Sequence, residues 1–303
     1  MNVLITGATG LVGSSVIPSL IDTGHTVTAL VRSRVIPGIR CLSWDPSQGK
    51  LNGAELEGIH AVVHLAGESI VGRWTAGKKA RIRESRVQGT RLLAKTVASM
   101  KTPPHVFVSA SAIGYYGDRG EELLDEQSLP GRGFLTEVCK EWEAAARPAS
   151  EAGIRTVFLR TGIVLSKKGG ALAKMLPIFQ LGAGGPLGNG RQWWSWIVLE
   201  DLAGIIQHVL LNEKISGPVN CVAPTPVTNA AFTKTLVRIL HRPAFAPVPR
   251  FAARLLMGEM ADALLFASAR IVSRKLPASR FRFRFPDLGE ALRYSLSEQQ
   301  GRA

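Results

Sequence analysis

The stretch Val3-Leu4-Ile5-Thr6-Gly7-Ala8-Thr9-Gly10-Leu11-Val12-Gly13 carries three glycines at intervals of three. A backbone without Cβ atoms can approach a bulky anion closely, and a helix starting at such a turn offers free N–H groups and a partial positive charge. An apolar run stands directly before Gly7 and a helical pattern follows directly after. Together they predict a pyrophosphate site contacted by Gly7, Thr9, Gly10, Leu11, Val12 and Gly13. The Gly7-x-x-Gly10-x-x-Gly13 spacing departs from the commoner G-x-G-x-x-G fingerprint. The next apolar run decides which dinucleotide is expected. An Asp or Glu at its end would accept hydrogen bonds from ribose hydroxyls. This chain has Val31-Arg32 instead, followed by Ser33 and Arg34. A guanidinium can pair with a 2′-phosphate and stack on adenine, so Val31 and Arg32 predict NADP(H) rather than NAD(H).

The elements that must position this turn alternate. Short β-branched runs at 2–6, 26–31, 61–65, 105–109 and 156–159 are separated by helical patterns at 11–22, 78–100 and 136–151. That order reads as βαβ units: an α/β fold with a Rossmann-type, doubly wound parallel sheet. Pro18 lies inside the first helix, where it removes a backbone bond, so a bend is expected. After Gly162 the chain turns rich in glycine and tryptophan through 182–196. A further strand at 218–221 leads to a helix capped by Thr228 or Asn229. The expected division is an NADP-binding unit over 1–165, with 197–225 returning to it. A smaller, mostly helical substrate-side unit covers 166–196 and 226–303.

Several motifs then resemble one family. TGATGLVG, HLAGESIVGRW, ESRVQGTRLL, SASAIGYYGD, CKEWEAAA, LRTGIVLS, GGPLGNGRQWWSWI and GPVNCVAP follow one another. This is the order of an atypical branch of the extended short-chain dehydrogenases, the YfcH-type nucleoside-diphosphate-sugar-epimerase-like family. The resemblance covers residue 2 to about residue 293. It implies a Rossmann fold, an NADP-type cofactor and a small C-terminal domain closing over a substrate cleft. Position by position, it implies cofactor contacts from Leu65, Ala66 and Gly67 and from Arg86. Gly162 and Ile163 fall on the nicotinamide side. Val198 stands where the family often has His, which weakens any histidine in the cleft. Asp201 reads most simply as a helix N-cap.

Ordinary members of that superfamily move a proton with a YxxxK pair. In GFLTEVCKEWE the comparable positions hold Phe134 with Val138, or Leu135 with Cys139, according to register. Lys140 is one residue off, a rotation of about 100 degrees on a helix. The substitutes are Ser111, which resembles the substrate-orienting hydroxyl, and Tyr116, a phenol whose pKa without a lysine beside it should stay near about 10. Cys139 reads as a buried helical cysteine and His64 as a satisfied core histidine. Arg191 and the tryptophans 193, 194 and 196 form a glycine-rich loop expected to face the ligand. The combined expectation is an NADP(H)-dependent oxidoreductase or epimerase-like protein acting on a small polar, nucleotide-linked or other, substrate. The alternative is an NADP(H)-binding regulatory protein without turnover.

Composition bounds the rest. The 303 residues are 46% hydrophobic and 20% charged, ordinary for a globular chain. No apolar run is long enough to cross a membrane, and the first strand starts at Asn2, leaving no room for a leader. Cys41, Cys139 and Cys221 are isolated, which argues against a disulfide framework or a metal site and for the cytoplasm. The net charge of +14 concentrates at 78–83 and 270–284. Neither stretch has the spacing of an RNA-binding sheet or a helix-turn-helix. The expected partners are therefore a small-molecule substrate and, as in many relatives of the superfamily, a second copy in a homodimer, with no nucleic acid and no membrane.

Overall fold

The computed structural model describes residues 1–33, 35–243 and 247–297; Arg34 lies outside them. In chain order the first elements are β1 (Asn2–Thr6), α1 (Leu11–Asp22), β2 (Thr26–Val31), β3 (Arg40–Asp45), β4 (Lys50–Leu51), β5 (Ala61–His64), α2 (Ala76–Ala98), β6 (Val106–Ala112) and β7 (Leu123–Leu124). There follow α3 (Phe134–Ala145), α4 (Arg147–Glu151), β8 (Arg155–Thr161), β9 (Ile163–Leu165), α5 (Gly170–Gln180), β10 (Trp193–Trp194), β11 (Trp196–Val198), α6 (Leu199–Leu211) and β12 (Gly217–Cys221). The helices Asn229–Leu240, Arg250–Met257 and Leu288–Leu296, with shorter turns and strands between them, complete the described C-terminal region.

Eight strands form the main sheet in the order β12-β8-β6-β5-β1-β2-β3-β4. Every neighbouring pair is parallel except β3 with β4. The strand order reverses at β1, between β2 on one side and β5 on the other. In such sheets the crevice at the reversal, outside the carboxyl ends of the strands, is where ligands bind. Both faces of the sheet are covered, which is why the strands read as unbroken apolar runs. Val3 and Ile5 pack with Val16 and Leu20 of α1 and Ile205 and Ile206 of α6, whereas Leu4 and Val62 pack with Leu93 and Val97 of α2. A separate core gathers Leu172, Trp194, Trp196, Phe232 and Leu292 away from the main sheet.

The structure departs from the sequence-based expectation in four places. β3 and β4 were not foreseen; β3 carries Arg40, Ser43 and Asp45 and has no apolar rhythm. The strand expected at 105–109 continues to Ala112, so Ser111 lies within it rather than after it. The helix expected over 136–151 is two helices, broken at Ala146. Pro148 explains the break, since it can neither donate to the carbonyl four residues earlier nor avoid clashing with it. Asp201 sits in the first turn of α6 instead of capping it. Its carboxylate accepts the N–H groups of Arg284 at 2.7 Å and Phe285 at 3.0 Å, tying the C-terminal segment to the sheet. The cap expected at Thr228 is present, its hydroxyl accepting the Ala231 N–H, and α1 continues through Pro18. Among the described residues no helix is long and apolar enough to cross a membrane.

One buried residue shows how β1, β5 and α2 are locked. His64 is fully buried, with Nδ1 2.7 Å from Thr6 Oγ1 and Nε2 3.0 Å from Thr90 Oγ1. Thr6 Oγ1 also accepts the N–H groups of Leu65 and Ala66, both at 3.1 Å. With its lone pairs so engaged, the Thr6 hydroxyl must give its proton to Nδ1, and His64 then donates from Nε2 to Thr90. This is the satisfied core histidine read from the sequence, and it also fixes the Leu65–Ala66 backbone at the mouth of the crevice. Burial holds its pKa down from 6.5 to about 4. An unfolded chain takes up that proton near pH 6.5 while the native state resists it. Native stability is therefore full above pH 6.5 and is lost as pH falls toward 4, by about 3 kcal/mol for this group. Urea unfolding of wild type and His64→Gln across pH 7 to 4 should show a slope smaller in the variant by up to about 1.4 kcal/mol per pH unit. Identical slopes would mean that His64 is not held neutral.

Candidate functional site

The turn between β1 and α1 is closed by contacts that admit only glycine. Gly7 adopts a left-handed φ of 69°, and a Cβ there would lie 2.7 Å from the Leu65 carbonyl carbon. A Cβ on Gly13 would lie 2.3 Å from the Gly7 oxygen. These clashes bring the strand-to-helix turn and the end of β5 almost into contact. Gly10 caps α1 without any side-chain hydrogen bond, and the first turn carries no acidic residue. The N–H groups of Leu11, Val12 and Gly13 therefore stand at a positive helix end with exposed Thr9 and Gly10 before them. From this turn a cavity of about 230 Å³ runs past Leu65 to Ser111 and Thr161, along the carboxyl ends of β1, β5, β6 and β8. The cradle, shaped by glycines and ending in unbonded N–H groups, fits a pyrophosphate.

Val31 is half-buried at the end of β2 and Arg32 is exposed beyond it. The charge of Arg32 reaches Glu68, whose carboxyl is held below its ordinary range chiefly by the 2.7 Å hydrogen bond from Lys78. Arg86 reaches across from α2 to Gly67: a Cβ on Gly67 would be 3.3 Å from its Cζ. It donates to the carbonyls of Glu68 at 2.9 Å and Ile82 at 3.1 Å and lies over the Trp142 ring. Burial lowers its pKa, with Cys139 and Glu68 acting in the opposite sense. The glycine at 162 has a packing reason, since a Cβ would lie 2.6 Å from the Ser195 oxygen. The N–H groups of Gly162 and Ile163 bond to Cys221 and Ser195.

A second constellation follows from strand register. Ser111 pairs with Arg160 across β6 and β8, and Arg160 with Asn220 across β8 and β12. Registered residues of adjacent strands share a face, so the three side chains form one row beneath α3. Glu143 of α3 drops onto that row. Its carboxylate takes Arg160 in a two-point pairing, Nε to Oε1 and Nη2 to Oε2, both 2.9 Å, and accepts the Ser111 hydroxyl at 2.7 Å. Arg160 Nη1 donates to the Tyr116 oxygen at 3.0 Å, and Tyr116 donates to Asn220 Oδ1 at 2.7 Å. Arg160 also lies against the Tyr115 ring, 3.4 Å from its centroid. Burial alone would lower the Arg160 pKa, but the hydrogen bonds and charge of Glu143, and after them Tyr116, leave it raised.

This arrangement corrects the part expected of Tyr116. The phenol is fully buried, both sides of its oxygen are engaged, and burial pushes its pKa up to about 12. It braces Arg160 and Asn220 and offers no proton to the cavity. Ser111 is among the residues lining the cavity. The register of α3 is also resolved. Phe134 and Val138 turn toward Trp74, Ile82 and Met260. Leu135 and Cys139 face Gly114, with the Cys139 thiol 3.8 Å from the Ala112 oxygen. Burial, then the Glu143 charge, push that thiol up to about 12, the inert cysteine read from the sequence. Lys140 points outward and pairs with Glu137. Two tryptophans of the glycine-rich loop are anchors rather than ligand-facing groups: Trp194 packs on Phe232, and Trp196 is fully buried with its indole N–H on the Thr225 carbonyl. Only Trp193, half-buried under Arg270, and exposed Arg191 stay near the surface. Glu143 and Asn220 were missed. The available signal was that Glu143 lies one turn beyond Cys139, on the same helix face.

A doubly wound sheet with a glycine turn at its reversal point defines a dinucleotide-binding protein of the short-chain dehydrogenase type. Residues 3–221 match the NAD dependent epimerase/dehydratase family, and residues 248–294 match DUF1731, a domain of unknown function. An epimerase family protein of Mycobacterium bovis is 40% identical over 294 residues, covering 97% of each chain. The crystal structure of the human epimerase family protein SDR39U1 with NADPH superposes with a TM-score of 0.88 at 35% identity, covering 97% of this chain and 98% of that one. UDP-glucose 4-epimerase of Thermotoga maritima shares the fold, with a TM-score of 0.78 at 17% identity and 97% of this chain covered. The chain belongs to the NAD dependent epimerase/dehydratase family, in the branch that holds SDR39U1, as its motifs suggested.

The side chains of Arg160 and Glu143 are only 4% and 12% exposed, so each depends on the other. Removing one partner of such a pair leaves an uncompensated buried charge. Glu143→Ala should lose about 3–5 kcal/mol in chemical denaturation. The double variant Glu143→Leu/Arg160→Met should lose less than Glu143→Ala does.

Proposed function

We propose that this chain is an NADP(H)-dependent oxidoreductase of epimerase-like type, acting in the cytoplasm on a small polar substrate, for which a nucleotide-linked compound is one candidate. The observation that carries the reading is the glycine cradle with Arg32 beyond the adjacent strand, and the NADPH-bound human relative supports it. In this reading Gly7, Thr9, Gly10, Leu11, Val12 and Gly13 receive the pyrophosphate on backbone N–H groups. Val31 and Arg32 receive the adenosine end, Arg32 by pairing with the 2′-phosphate. Leu65, Ala66 and Gly67 floor the crevice, with the Leu65–Ala66 backbone fixed from beneath by Thr6 and His64. Arg86 guards the far side of Gly67, and Gly162 and Ile163 border the nicotinamide end. When bound, the dinucleotide supplies hydride exchange. Ser111, held from behind by Glu143, orients the substrate oxygen. The smaller unit, 166–196 and 226–303, closes the substrate side.

A second reading, a cofactor-binding regulatory protein without turnover, draws on one observation: α3 presents Leu135 and Cys139 where a tyrosine and a lysine would move a proton. Titration with NADPH and NADH, followed by energy transfer from the tryptophans, tests the cofactor assignment. Arg32→Ala should weaken NADPH binding by about 10- to 100-fold, the worth of a charge-assisted hydrogen bond, and leave NADH nearly unchanged. Equal losses for both would remove Arg32 from the 2′-phosphate site.

A further inference from the structure

The helix Arg250–Met257 carries apolar residues on two opposite faces. Ala253 and Met257, one turn apart, face inward: Ala253 is buried, and Met257 packs at the edge of the core formed by Trp74, Ile82, Val138 and Met260. Leu255 is rotated by about 200 degrees from Ala253, so it points outward, with Phe251 one turn before it. Phe251, Leu255 and Leu256 are 75%, 78% and 77% exposed. Single exposed apolar side chains are ordinary, but three on two turns of one helix form a patch that marks a contact site. The helix is held at both ends. Before it, the Val248 N–H bonds to the Pro186 carbonyl at 2.8 Å and the Gly188 N–H to the Val248 carbonyl at 2.9 Å. Beyond it, Lys79 pairs with Glu259, and the Gly72 N–H meets the Met260 sulfur at 3.2 Å. The rim of the patch is cationic. Arg250 and Arg254 flank one side, sharing the single carboxylate of Asp262 at 2.7 and 2.6 Å while staying largely exposed. Exposed Arg73 lies at the C-terminal end, its Cγ 3.8 Å from where a Gly258 Cβ would stand. With Lys79, these arginines set four cations against the two carboxylates Asp262 and Glu259.

We propose that this helix docks the protein on an anionic lipid surface. It lies in the headgroup plane, with Phe251, Leu255 and Leu256 at the acyl boundary and Arg73, Arg250 and Arg254 among the headgroups. A helix lying in that plane needs no spanning run, so the lack of a long apolar stretch does not bear on it. The charge of the rim selects the occupant. A second copy seated face to face would set this cationic excess against itself, whereas anionic headgroups neutralise it. The shape agrees, because the three side chains project from a convex helix. A bilayer interface closes around projecting groups, while a folded partner would need a matching hollow. None of these residues belongs to the glycine cradle or to the Ser111 row, so docking leaves both free.

The test uses the full chain, sedimented with unilamellar vesicles of pure phosphatidylcholine or of phosphatidylcholine with about 30 mol% phosphatidylglycerol. A surplus of two cations, each worth about fivefold at such a surface, should make binding to the anionic vesicles about 30-fold tighter. Added salt should weaken it. The double variant Phe251→Ser/Leu255→Ser removes the inserted apolar surface and should weaken anionic-vesicle binding by about tenfold or more. Its urea midpoint should barely move, because both side chains are exposed in the native state. Arg73→Gln should weaken the same binding about fivefold. No sedimentation with either vesicle, equal binding to both, or binding that survives the double variant would overturn the proposal. So would a concentration-dependent dimer that the double variant abolishes, since the face would then belong to a second copy.

Discussion

The two-point pairing of Glu143 with Arg160 is the contact on which the working end of this molecule depends. A guanidinium on a central strand, walled in by two tyrosine rings, is tolerable only if a carboxylate meets it in good geometry. Glu143 does so from the helix above, and the remaining hydrogen bonds follow. The carboxylate takes the Ser111 proton, the guanidinium supports Tyr116, and Tyr116 holds Asn220. Asn220 in turn donates to the Val272 carbonyl, and its N–H bonds to Glu126, which also receives Ser273 and the Arg274 N–H. One ion pair thus ties three parallel strands, the helix α3 and the C-terminal region into a continuous polar chain.

That pairing also sets how α3 lies. With Glu143 fixed over the row of strand residues, the positions four and eight residues earlier, Cys139 and Leu135, must face the corner at Ala112 and Gly114. A Cβ on Gly114 would sit 3.2 Å from that of Leu135, so the corner has little room for larger groups. The corner is held from its other side too, because a Cβ at Gly131 would fall 1.9 Å from the Tyr116 oxygen of the backbone. Leu135 and Cys139 are therefore one side of a packed joint.

The parts of the fold legible in the sequence are those where one local rule decides. The glycine turn, the alternation of runs, the Thr228 cap, the outward Lys140 and the core histidine each rest on residues close in sequence or on a single period. The failures share a different character. Arg160, Glu143 and Asn220 belong to separate elements and meet only through strand register, which no local pattern encodes. Asp201 obeyed a capping rule in its type and position, yet its acceptor capacity went to a segment more than eighty residues later. The loop tryptophans looked like ligand surfaces because tryptophan so often is one. In this chain Trp194 and Trp196 fill a hydrophobic core with Phe232 and Leu292, a matter of tertiary packing that composition cannot reveal.

The positive charge divides along the same line. At 78–83 it is dispersed into pairs: Lys78 with Glu68, Lys79 with Glu259 and Arg83 with Glu141. At 280–285 arginine and phenylalanine alternate. Phe281 packs over Gly204 of α6 and against Phe283, and Phe285 stacks on Tyr294, while Arg280, Arg282 and Arg284 remain exposed. The phenylalanines hold the segment to the sheet domain, and the arginines follow outward from the period of two. The chain as a whole carries a net charge of +14. What acts at longer range is then the summed field, which favours the approach of a strongly anionic ligand over a neutral one. That field acts on any anionic ligand over the whole surface, whereas a specific pairing is decided by the geometry of single residues.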